Sequence, residues 1–337
     1  MEAVQVTGAH AIRRVTMPKP VPGPGEALIE VAASGICGTD HHIVAGAYAA
    51  NLPRVLGHEL SGVIAALGSE TPTTLPVGTP VALDPNIACH GCSYCRRGDP
   101  HFCPHRQAIG VDRDGGFAEW TVAPVAQLYR LPAGLAVWRG ALAEPVSCCL
   151  RGIDNLALRS GETAMVVGMG PIGVIIAQLL WAAGAAWVVG LETNDARRGM
   201  AAELGIEVYG RGEEAALAVK ERAAEGPTVV VDAVGSAAVL EYALQVVARG
   251  GKVLVFGVAA TDQRARVSPH LLYEKELTIV SAYTNPFTMA RAVAVVASGK
   301  LAVEGILNRP LDLDGVAAAL RDPARSVGLK RFLRLDR

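Results

Sequence analysis

The sequence has almost no net charge, no long apolar run and no recognisable export signal. Its 31 Lys and Arg residues oppose 32 Asp and Glu residues, so there is no basic excess for a nucleic-acid backbone or an anionic membrane. No apolar run reaches the ~18 uninterrupted residues of a membrane span. The N-terminus, MEAVQVTGAHAIRR, alternates like a strand and lacks the basic-then-apolar order of a secretion signal. We therefore expect a cytoplasmic protein with no nucleic-acid partner and no membrane partner.

The sequence pattern changes near residue 145, which predicts two domains. A chain of 337 residues is too long for one ordinary single-core domain. Before the change, short apolar strands such as ALIEVAASGI and GFAEWTV are separated by turn residues, a pattern typical of an all-β barrel or sandwich. We expect residues 1–146 and a returning tail, 284–337, to form one domain. Residues 147–283 are expected to form the other.

The second pattern predicts a parallel, doubly wound sheet, so the expected fold class is α/β. Six β-rich runs beginning with TAMVVGMG and ending with LTIVSAY alternate with four clear helical segments. The apolar run Val229–Val231 suits a strand that is buried on both faces. A further helix is expected near residues 286–298, outside this alternation.

A glycine-rich loop, GMGPIG, follows the first of these strands and leads into a helix at Pro171. In this context Gly168 permits the tight turn, Gly170 lets backbone amides approach a pyrophosphate, and Gly173 lets the helix pack closely on the strand. The N-terminus of the helix offers unpaired N–H groups to phosphates. The loop predicts a dinucleotide site, with a plain glycine turn as the alternative.

Glu192 ends the second strand of this half, 19 residues after Gly173. A carboxylate at this position can accept both hydroxyls of an adenosine ribose, and it would repel a ribose 2′-phosphate. NAD is therefore favoured over NADP. Arg197 and Arg198 keep NADP open, because an arginine near the strand end could hold that phosphate.

Four of the seven cysteines lie within fifteen residues, in ACHGCSYCRRGDPHFC. The spacing C-x2-C-x2-C-x7-C lets four thiolates converge on one tetrahedral ion and leaves no position for a substrate. A structural zinc site is the favoured interpretation. An iron–sulfur cluster is the alternative, although the bacterial cluster motif has x3 before its last cysteine. Unmetallated or redox-active thiols also stay open. The ligands are Cys89, Cys92, Cys95 and Cys103.

A second set of ligand residues lies in GICGTDHH and LGHELSG. Cys37, His58 and a carboxylate would make a mixed sulfur, nitrogen and oxygen site with room for water or substrate, as catalytic metals require. His58 and Glu59 are adjacent, so on a regular strand their side chains would point to opposite faces. Either the backbone is irregular there, or Glu144 completes the set instead of Glu59. The alternative is a buried cysteine and a core histidine with no metal.

Three features together resemble the zinc-dependent medium-chain dehydrogenases/reductases. They are G-H-E-x-x-G-x-x-x-x-x-G from Gly57 to Gly68, the four-cysteine lobe at 88–104 and the glycine loop after a strand. CGTDHH, the Glu–Pro pair at 144–145 and the compact length resemble the polyol (sorbitol) and L-threonine dehydrogenase branch. The resemblance implies a GroES-like catalytic domain, a Rossmann domain and an active site in the cleft between them. It also implies a homodimer or homotetramer, often paired through the edge of the Rossmann sheet.

The resemblance also implies roles for individual residues. Cys37, His58 and Glu59 fall on the catalytic zinc positions, and Glu144 falls where that branch has a carboxylate near the metal. Thr39 and His42 fall on the proton-relay positions. Sorbitol dehydrogenases carry a substrate-binding arginine where this chain has Ala282. The positions that match dinucleotide contacts are Ile172, Glu192, Arg197, Phe256, Gly257, Val258, Ala282 and Tyr283.

The reaction implied is hydride transfer between a secondary alcohol (a polyol, cyclitol, diol or amino alcohol) and NAD. The expected cofactors are two zinc ions per chain and NAD. Zinc would act as a Lewis acid, while the hydroxyl proton would leave through Thr39, the nicotinamide ribose and His42. Two rival functions stay open: a zinc-free quinone or enoyl reductase of the same superfold, and a non-enzymatic binding protein that uses the cysteine lobe.

Overall fold

The structure, a computed structural model, describes residues 1–48, 50–71, 74–210, 212–322 and 329–335. The chain divides into two compact units. The first contains Met1–Ser147, Asn285–Gly299 and Leu307–Arg337, and the second contains Cys148–Thr284 and Lys300–Ile306. The short segment Lys300–Ile306 therefore groups with the second unit, whereas the sequence analysis assigned the whole tail to the first. No helix in the described ranges is long and apolar enough to cross a membrane.

Strands and helices are numbered along the chain. The strands are β1 (Glu2–Gly8), β2 (Ala11–Thr16), β3 (Glu26–Gly35), β4 (Arg54–Val55), β5 (Glu59–Leu67), β6 (Pro80–Leu83), β7 (Asn86–Ile87), β8 (Gln107–Ala108), β9 (Trp120–Pro124), β10 (Leu128–Arg130), β11 (Thr163–Val167), β12 (Trp187–Leu191), β13 (Glu207–Tyr209), β14 (Val229–Asp232), β15 (Lys252–Val255), β16 (Thr278–Ser281), β17 (Arg309–Leu311) and β18 (Arg331–Arg334). The α-helices are α1 (Gly38–Val44), α2 (Ser93–Arg96), α3 (Ala143–Leu156), α4 (Pro171–Ala182), α5 (Asp195–Glu203), α6 (Glu213–Arg222), α7 (Ala237–Val246), α8 (Pro269–Lys275), α9 (Met289–Ala297), α10 (Val303–Ile306) and α11 (Leu313–Arg321).

The first unit is built on a sheet in the order β10-β6-β5-β3-β18-β17, with β9 also pairing β3. β3 is its central strand, because it pairs antiparallel with β5, β9 and β18. Nine of its ten residues are buried or half-buried, as expected for a strand covered on both faces. The register sets Gly35 opposite Glu59 on one side and opposite Phe332 on the other. The end of β3 is therefore a point where three strands meet.

The second unit is a six-stranded parallel sheet in the order β13-β12-β11-β14-β15-β16. All five strand pairs are parallel, and the order reverses direction after β13-β12-β11, so the predicted doubly wound sheet is confirmed. β14 is fully buried along its length, as its run of valines predicts. A fifth crossover helix, α8, lies between β15 and β16, where the sequence analysis expected none. Ser268 caps it by accepting from Leu271 N–H, and Pro269 begins it.

Candidate functional site

Cys37, His58 and Glu59 come together at the end of β3. Their ligand atoms all lie within 4.8 Å of one another. Cys37 precedes α1, while Glu59 opens β5 directly opposite Gly35. His58 lies just before β5, after Gly57, whose φ of +95° is a conformation that favours glycine. The backbone is therefore not a regular strand at His58, and for this reason two adjacent side chains reach one point.

Asp40 lies beside His58. Its carboxylate is fully buried, and Oδ2 accepts a 2.8 Å hydrogen bond from the backbone N–H of Cys37. Its other oxygen, Oδ1, lies 3.6 Å from His58 Nδ1. Burial opposes a charge on the imidazole, but Asp40 and Cys37 more than offset it and raise the pKa of His58 well above its ordinary value. A carboxylate on the Nδ1 side is the usual partner of a metal-binding histidine and leaves Nε2 for the metal.

Lys330 holds Glu59. The lysine is 4% exposed and the glutamate 1%, so both charges are removed from water. Lys330 Nζ donates to Glu59 Oε1 at 2.8 Å and to the backbone carbonyl of Ile36 at 3.2 Å. It also lies 2.7 Å from Oε2, but this contact lacks the direction of a hydrogen bond, and Oε2 has no hydrogen-bond donor among the described residues. Lys330 therefore pairs with both carboxylate oxygens, through a hydrogen bond to Oε1 and a charge contact with Oε2.

The donor set fits a divalent metal. One sulfur, one imidazole nitrogen and one carboxylate oxygen are the ligand types of catalytic zinc sites, which keep a position open. Buried carboxylate oxygens normally accept hydrogen bonds, but Oε2 of Glu59 accepts none among the described residues, so it keeps lone pairs to which a cation could bind. These residues could hold one zinc ion.

Glu144 lies outside this three-residue cluster. It is a buried residue in the first turn of α3, a helix that the sequence analysis did not predict. Ser147 Oγ donates to the backbone carbonyl of Glu144 at 2.6 Å, and Asn285 Nδ2 donates to Ser147 Oγ at 2.8 Å. Glu144 is close enough to contribute to raising the pKa of Lys330, after Glu59 and Cys37, against the opposing effect of burial. Its carboxylate is therefore a neighbour of the cluster.

Thr39 and His42 both lie on α1, which begins next to Cys37. Thr39 Oγ1 is 3.8 Å from Cys37 Sγ, at the limit of a hydrogen bond to sulfur. Thr39 is half-buried, while His42 is exposed on the same helix. One helix thus carries a hydroxyl beside the cluster and an imidazole that faces solvent.

The four cysteines of the lobe also converge. The sulfur atoms of Cys89, Cys92, Cys95 and Cys103 lie within 4.8 Å of one another, and all seven cysteines of the chain are free thiols. Backbone N–H groups of Gly91 and Cys92 lower the pKa of Cys89 to about 6, which favours the thiolate that binds metal. Four sulfur donors and no other ligand fit a closed, structural zinc site.

The glycine loop has the backbone that its motif requires. Gly168 follows β11 with φ +95°, and Gly170 precedes α4. A Cβ at Gly173 would lie 1.8 Å from the carbonyl oxygen of Gly168, so this position has no room for a side chain. A Cβ at Gly170 would meet nothing within 4 Å, which leaves the start of α4 open to a phosphate group.

A cavity of about 800 Å³ adjoins this loop. Gly168, Gly170, Glu192 and Arg197 line it. Glu192 is buried, and its Oε2 accepts from Met169 N–H at 3.0 Å while Oε1 accepts from Asn194 N–H at 2.9 Å. Arg197 Nη1 is 3.9 Å from Glu192 Oε2. The glycine loop and the charged side chains that line the cavity suit the adenosine and phosphate portion of a dinucleotide.

The other predicted cofactor residues lie elsewhere in the second unit. Phe256, Gly257 and Val258 follow β15, and a Cβ at Gly257 would lie 2.1 Å from Gly235 N. Ala282 and Tyr283 follow β16. Pro171 and Ile172 form the first turn of α4. None of these residues lines the 800 Å³ cavity in the part of the unit that the structure describes.

Two residues of the candidate metal site escaped the sequence analysis. Asp40 could have been found, because an acidic residue three positions into a helix commonly accepts from the backbone at its start. Lys330 gave no local signal, because it lies 271 residues from Glu59 in sequence.

Comparison with known proteins identifies the family. Residues 23–133 match the alcohol dehydrogenase GroES-like domain, and residues 171–298 match the zinc-binding dehydrogenase domain. D-arabinitol dehydrogenase 1 of Uromyces fabae is 33% identical over 311 residues, which cover 90% of this chain and 88% of that protein. D-altritol 5-dehydrogenase of Agrobacterium fabrum is 35% identical over 278 residues, covering 81% of each.

A solved structure shares the whole fold. It is a putative zinc-binding dehydrogenase from Sinorhizobium meliloti bound to NADP, with a TM-score of 0.94, 30% identity and 99% coverage of both chains. The metal-ligand cluster, the glycine loop and these similarities agree. The chain belongs to the zinc-dependent medium-chain dehydrogenases of the polyol dehydrogenase branch and is an oxidoreductase that acts on CH–OH groups.

Proposed function

We propose that this enzyme oxidises a secondary alcohol of a polyol or a related compound to the ketone and passes the hydride to NAD. The observation that carries the proposal is the convergence of Cys37, His58 and Glu59 within 4.8 Å in a chain that also has a dinucleotide loop. Cyclitols, diols and amino alcohols suit the same chemistry. Acyclic polyols stand first, because two relatives are named for D-arabinitol and D-altritol.

Cys37, His58 and Glu59 would hold the catalytic zinc, with Glu144 as a neighbouring carboxylate. A zinc ion at such a site supplies Lewis-acid polarisation of a substrate hydroxyl. The chain's own residues prepare the site: Asp40 sets a negative charge beside the imidazole, and Lys330 holds the Glu59 carboxylate. The second zinc per chain would be held by the four cysteines of the lobe, with a structural role.

The proton of the substrate hydroxyl is proposed to leave along α1. Thr39 Oγ1, beside Cys37, would accept it and pass on its own proton, and His42 would release a proton to solvent. A hydroxyl both donates and accepts, and a neutral imidazole has one nitrogen that donates and one that accepts, so the two groups suit a relay.

The NAD preference is proposed on Glu192. Its carboxylate lines the cavity beside the glycine loop and would stand against a 2′-phosphate. The similar dehydrogenase from Sinorhizobium meliloti is bound to NADP in its solved structure. Arg197 lines the same cavity, and its guanidinium is the positive charge that could bind the 2′-phosphate of NADP.

A homodimer is proposed through β16. This strand ends the parallel sheet and pairs with β15 alone among the described residues. Three of its four residues are exposed, and TIVS contains no charge and no proline to block pairing. A second copy could add its own β16 to this edge.

The test is nicotinamide absorbance with NAD and NADP offered against acyclic polyols, cyclitols, L-threonine, butanediols and simple secondary alcohols. We expect reduction of NAD with one of these classes, acyclic polyols first. The Cys37→Ser variant should retain dinucleotide binding and lose turnover by at least about a thousandfold, because it lacks a thiolate ligand of the metal.

The metal content of the same preparations decides between the proposal and its zinc-free rival. Two zinc ions in the parent and one in Cys37→Ser support the proposed sites. One zinc in the parent, with turnover unchanged in Cys37→Ser, would overturn the catalytic assignment and return a zinc-free reductase to first place.

A further inference from the structure

The positive charge of Lys330 lies against the ligand cluster and would repel a divalent cation bound there. Lys330 Nζ lies 2.8 Å and 2.7 Å from the two carboxylate oxygens of Glu59. Besides Glu59, its third contact is the carbonyl of Ile36 at 3.2 Å. At 4% exposure, water screens this charge little.

The pairing of β3 with both β5 and β18 brings Glu59 and Lys330 together. Glu59 on β5 and Phe332 on β18 both lie opposite Gly35 on β3, and Lys330 comes two residues before Phe332. A Cβ at Gly35 would lie 2.0 Å from Glu59 Oε2 and 2.9 Å from Lys330 Cε. Because Gly35 has no side chain, the Glu59 carboxylate and the Lys330 side chain can occupy the space beside it.

The charges of the proposed ligands determine what this contact does to a bound ion. A metal-bound Cys37 thiolate and Glu59 carboxylate would attract a divalent ion, and the buried Asp40 carboxylate lies 3.6 Å from His58. Lys330 sets one positive charge against Glu59, so it competes with the ion for that carboxylate and repels it.

We propose that Lys330 is a positioning residue that holds the Glu59 carboxylate through both oxygens, must yield Oε2 to a bound metal, and limits the affinity of the site for zinc. This inference rests on the proposed metal site at Cys37. Its distinguishing consequence is that removal of Lys330 tightens zinc binding. A lysine that only stabilised the fold would leave zinc affinity unchanged or weaken it when removed.

The first measurement is the zinc dissociation constant of the Cys37 site, obtained by competition with a chromogenic chelator. The Cys37→Ser variant identifies which binding step belongs to this site and which belongs to the cysteine lobe. Lys330→Met should bind zinc at least about tenfold more tightly than the parent, since one nearby unit charge has an effect of this size even at an effective dielectric constant of ~20. Lys330→Arg, which keeps the charge, should stay within about threefold of the parent.

Thermal unfolding supplies a second readout. Metal-free Lys330→Met should melt below the metal-free parent, because the Glu59 charge is then buried without a partner. Zinc should close this gap, since tighter binding raises the melting temperature more. Lys252→Met is the matched control: this lysine pairs with Glu162 at 3.6 Å and donates to the carbonyl of Ala157, and both partners belong to the second unit. It should shift both melting temperatures equally and leave the zinc constant unchanged.

If Lys330→Met does not fold, the pair Glu59→Gln and Glu59→Gln/Lys330→Met tests the same idea, because the double variant has neither of the two paired charges. The double variant should bind zinc more tightly than Glu59→Gln alone. Equal or weaker binding in the double variant, or in Lys330→Met, would overturn the role of Lys330. A parent protein that shows no zinc step removed by Cys37→Ser would instead refute the metal site itself.

Discussion

At the scale of single residues, the two oxygens of Glu192 already accept backbone hydrogen bonds, from Met169 and from Asn194. These bonds hold the negative charge at the wall of the cavity beside the glycine loop. Glu192→Gln keeps an acceptor oxygen and removes the charge. We expect the ratio of kcat/KM for NADP to that for NAD to rise by about tenfold to a hundredfold, because a like-charge contact with the 2′-phosphate is lost.

Arg197 supplies the matched test of that prediction. Arg198 is held by the carbonyls of Glu192 and Thr193 and by Asp195, whereas Arg197 Nη1 lies 3.9 Å from the carboxylate that the substitution neutralises. Glu192→Gln/Arg197→Ala should therefore lose most of the gain for NADP. An unchanged cofactor ratio in Glu192→Gln would place the discrimination at another residue.

Residue types that carry their own chemistry could be chosen from the sequence. Cys37, His58 and the four lobe cysteines are ligand types at short spacings, and the structure brings each set together. The choice between Glu59 and Glu144 stayed open, because it depends on the irregular backbone at Gly57. Lys330 could not be found, because only the pairing of β3 with both β5 and β18 places it beside Glu59.

At the scale of elements, the cysteine lobe has very little core of its own. Its helix α2 has no buried residue, and Tyr94 and Phe102 are exposed. The four thiols are the groups that can close this segment around an ion. Cys92→Ser should therefore lose one zinc per chain and lower the melting temperature by roughly 5–10 °C, the size expected for a few kcal/mol.

The metal of the Cys37 site should survive that substitution. We expect Cys92→Ser to keep the zinc that Cys37→Ser loses and to keep turnover within about threefold when assayed well below its melting temperature. A Cys92→Ser protein of unchanged stability that still holds two zinc ions would show that the lobe is not a zinc site.

The strands and four of the crossover helices of the second unit could be predicted from the sequence, because each has a clear apolar period. The crossover helix α8 was omitted because it has only seven residues. Its Leu271 and Leu272 are half-buried against the core, but two adjacent leucines are too short a pattern to show a helical period. Its signals are the Ser268 cap and Pro269 alone. α3 was omitted for a different reason: it begins at the change of pattern near residue 145, within a segment that contains a proline.

At the scale of the whole molecule, the proposed homodimer depends on the exposed edge strand β16. Ile279 is 41% exposed in the middle of this strand, with no neighbouring strand on its outer side among the described residues. If two copies join edge to edge about a twofold axis, a substitution on β16 acts twice in each dimer. Ile279→Lys places a charge from each copy at the junction and should weaken dimerisation by about a hundredfold or more.

Sedimentation velocity across a range of protein concentrations measures this effect. Val77→Lys is the control, since Val77 is an exposed apolar residue of the first unit, 57% exposed, and lies far from β16 in sequence. The parent and Val77→Lys should sediment alike as dimers, while Ile279→Lys should sediment as a monomer at low micromolar concentration. Because the sheet edge adds no residue to the Cys37 cluster, Ile279→Lys should still bind zinc like the parent. A dimer that persists in Ile279→Lys would assign the interface to a different surface.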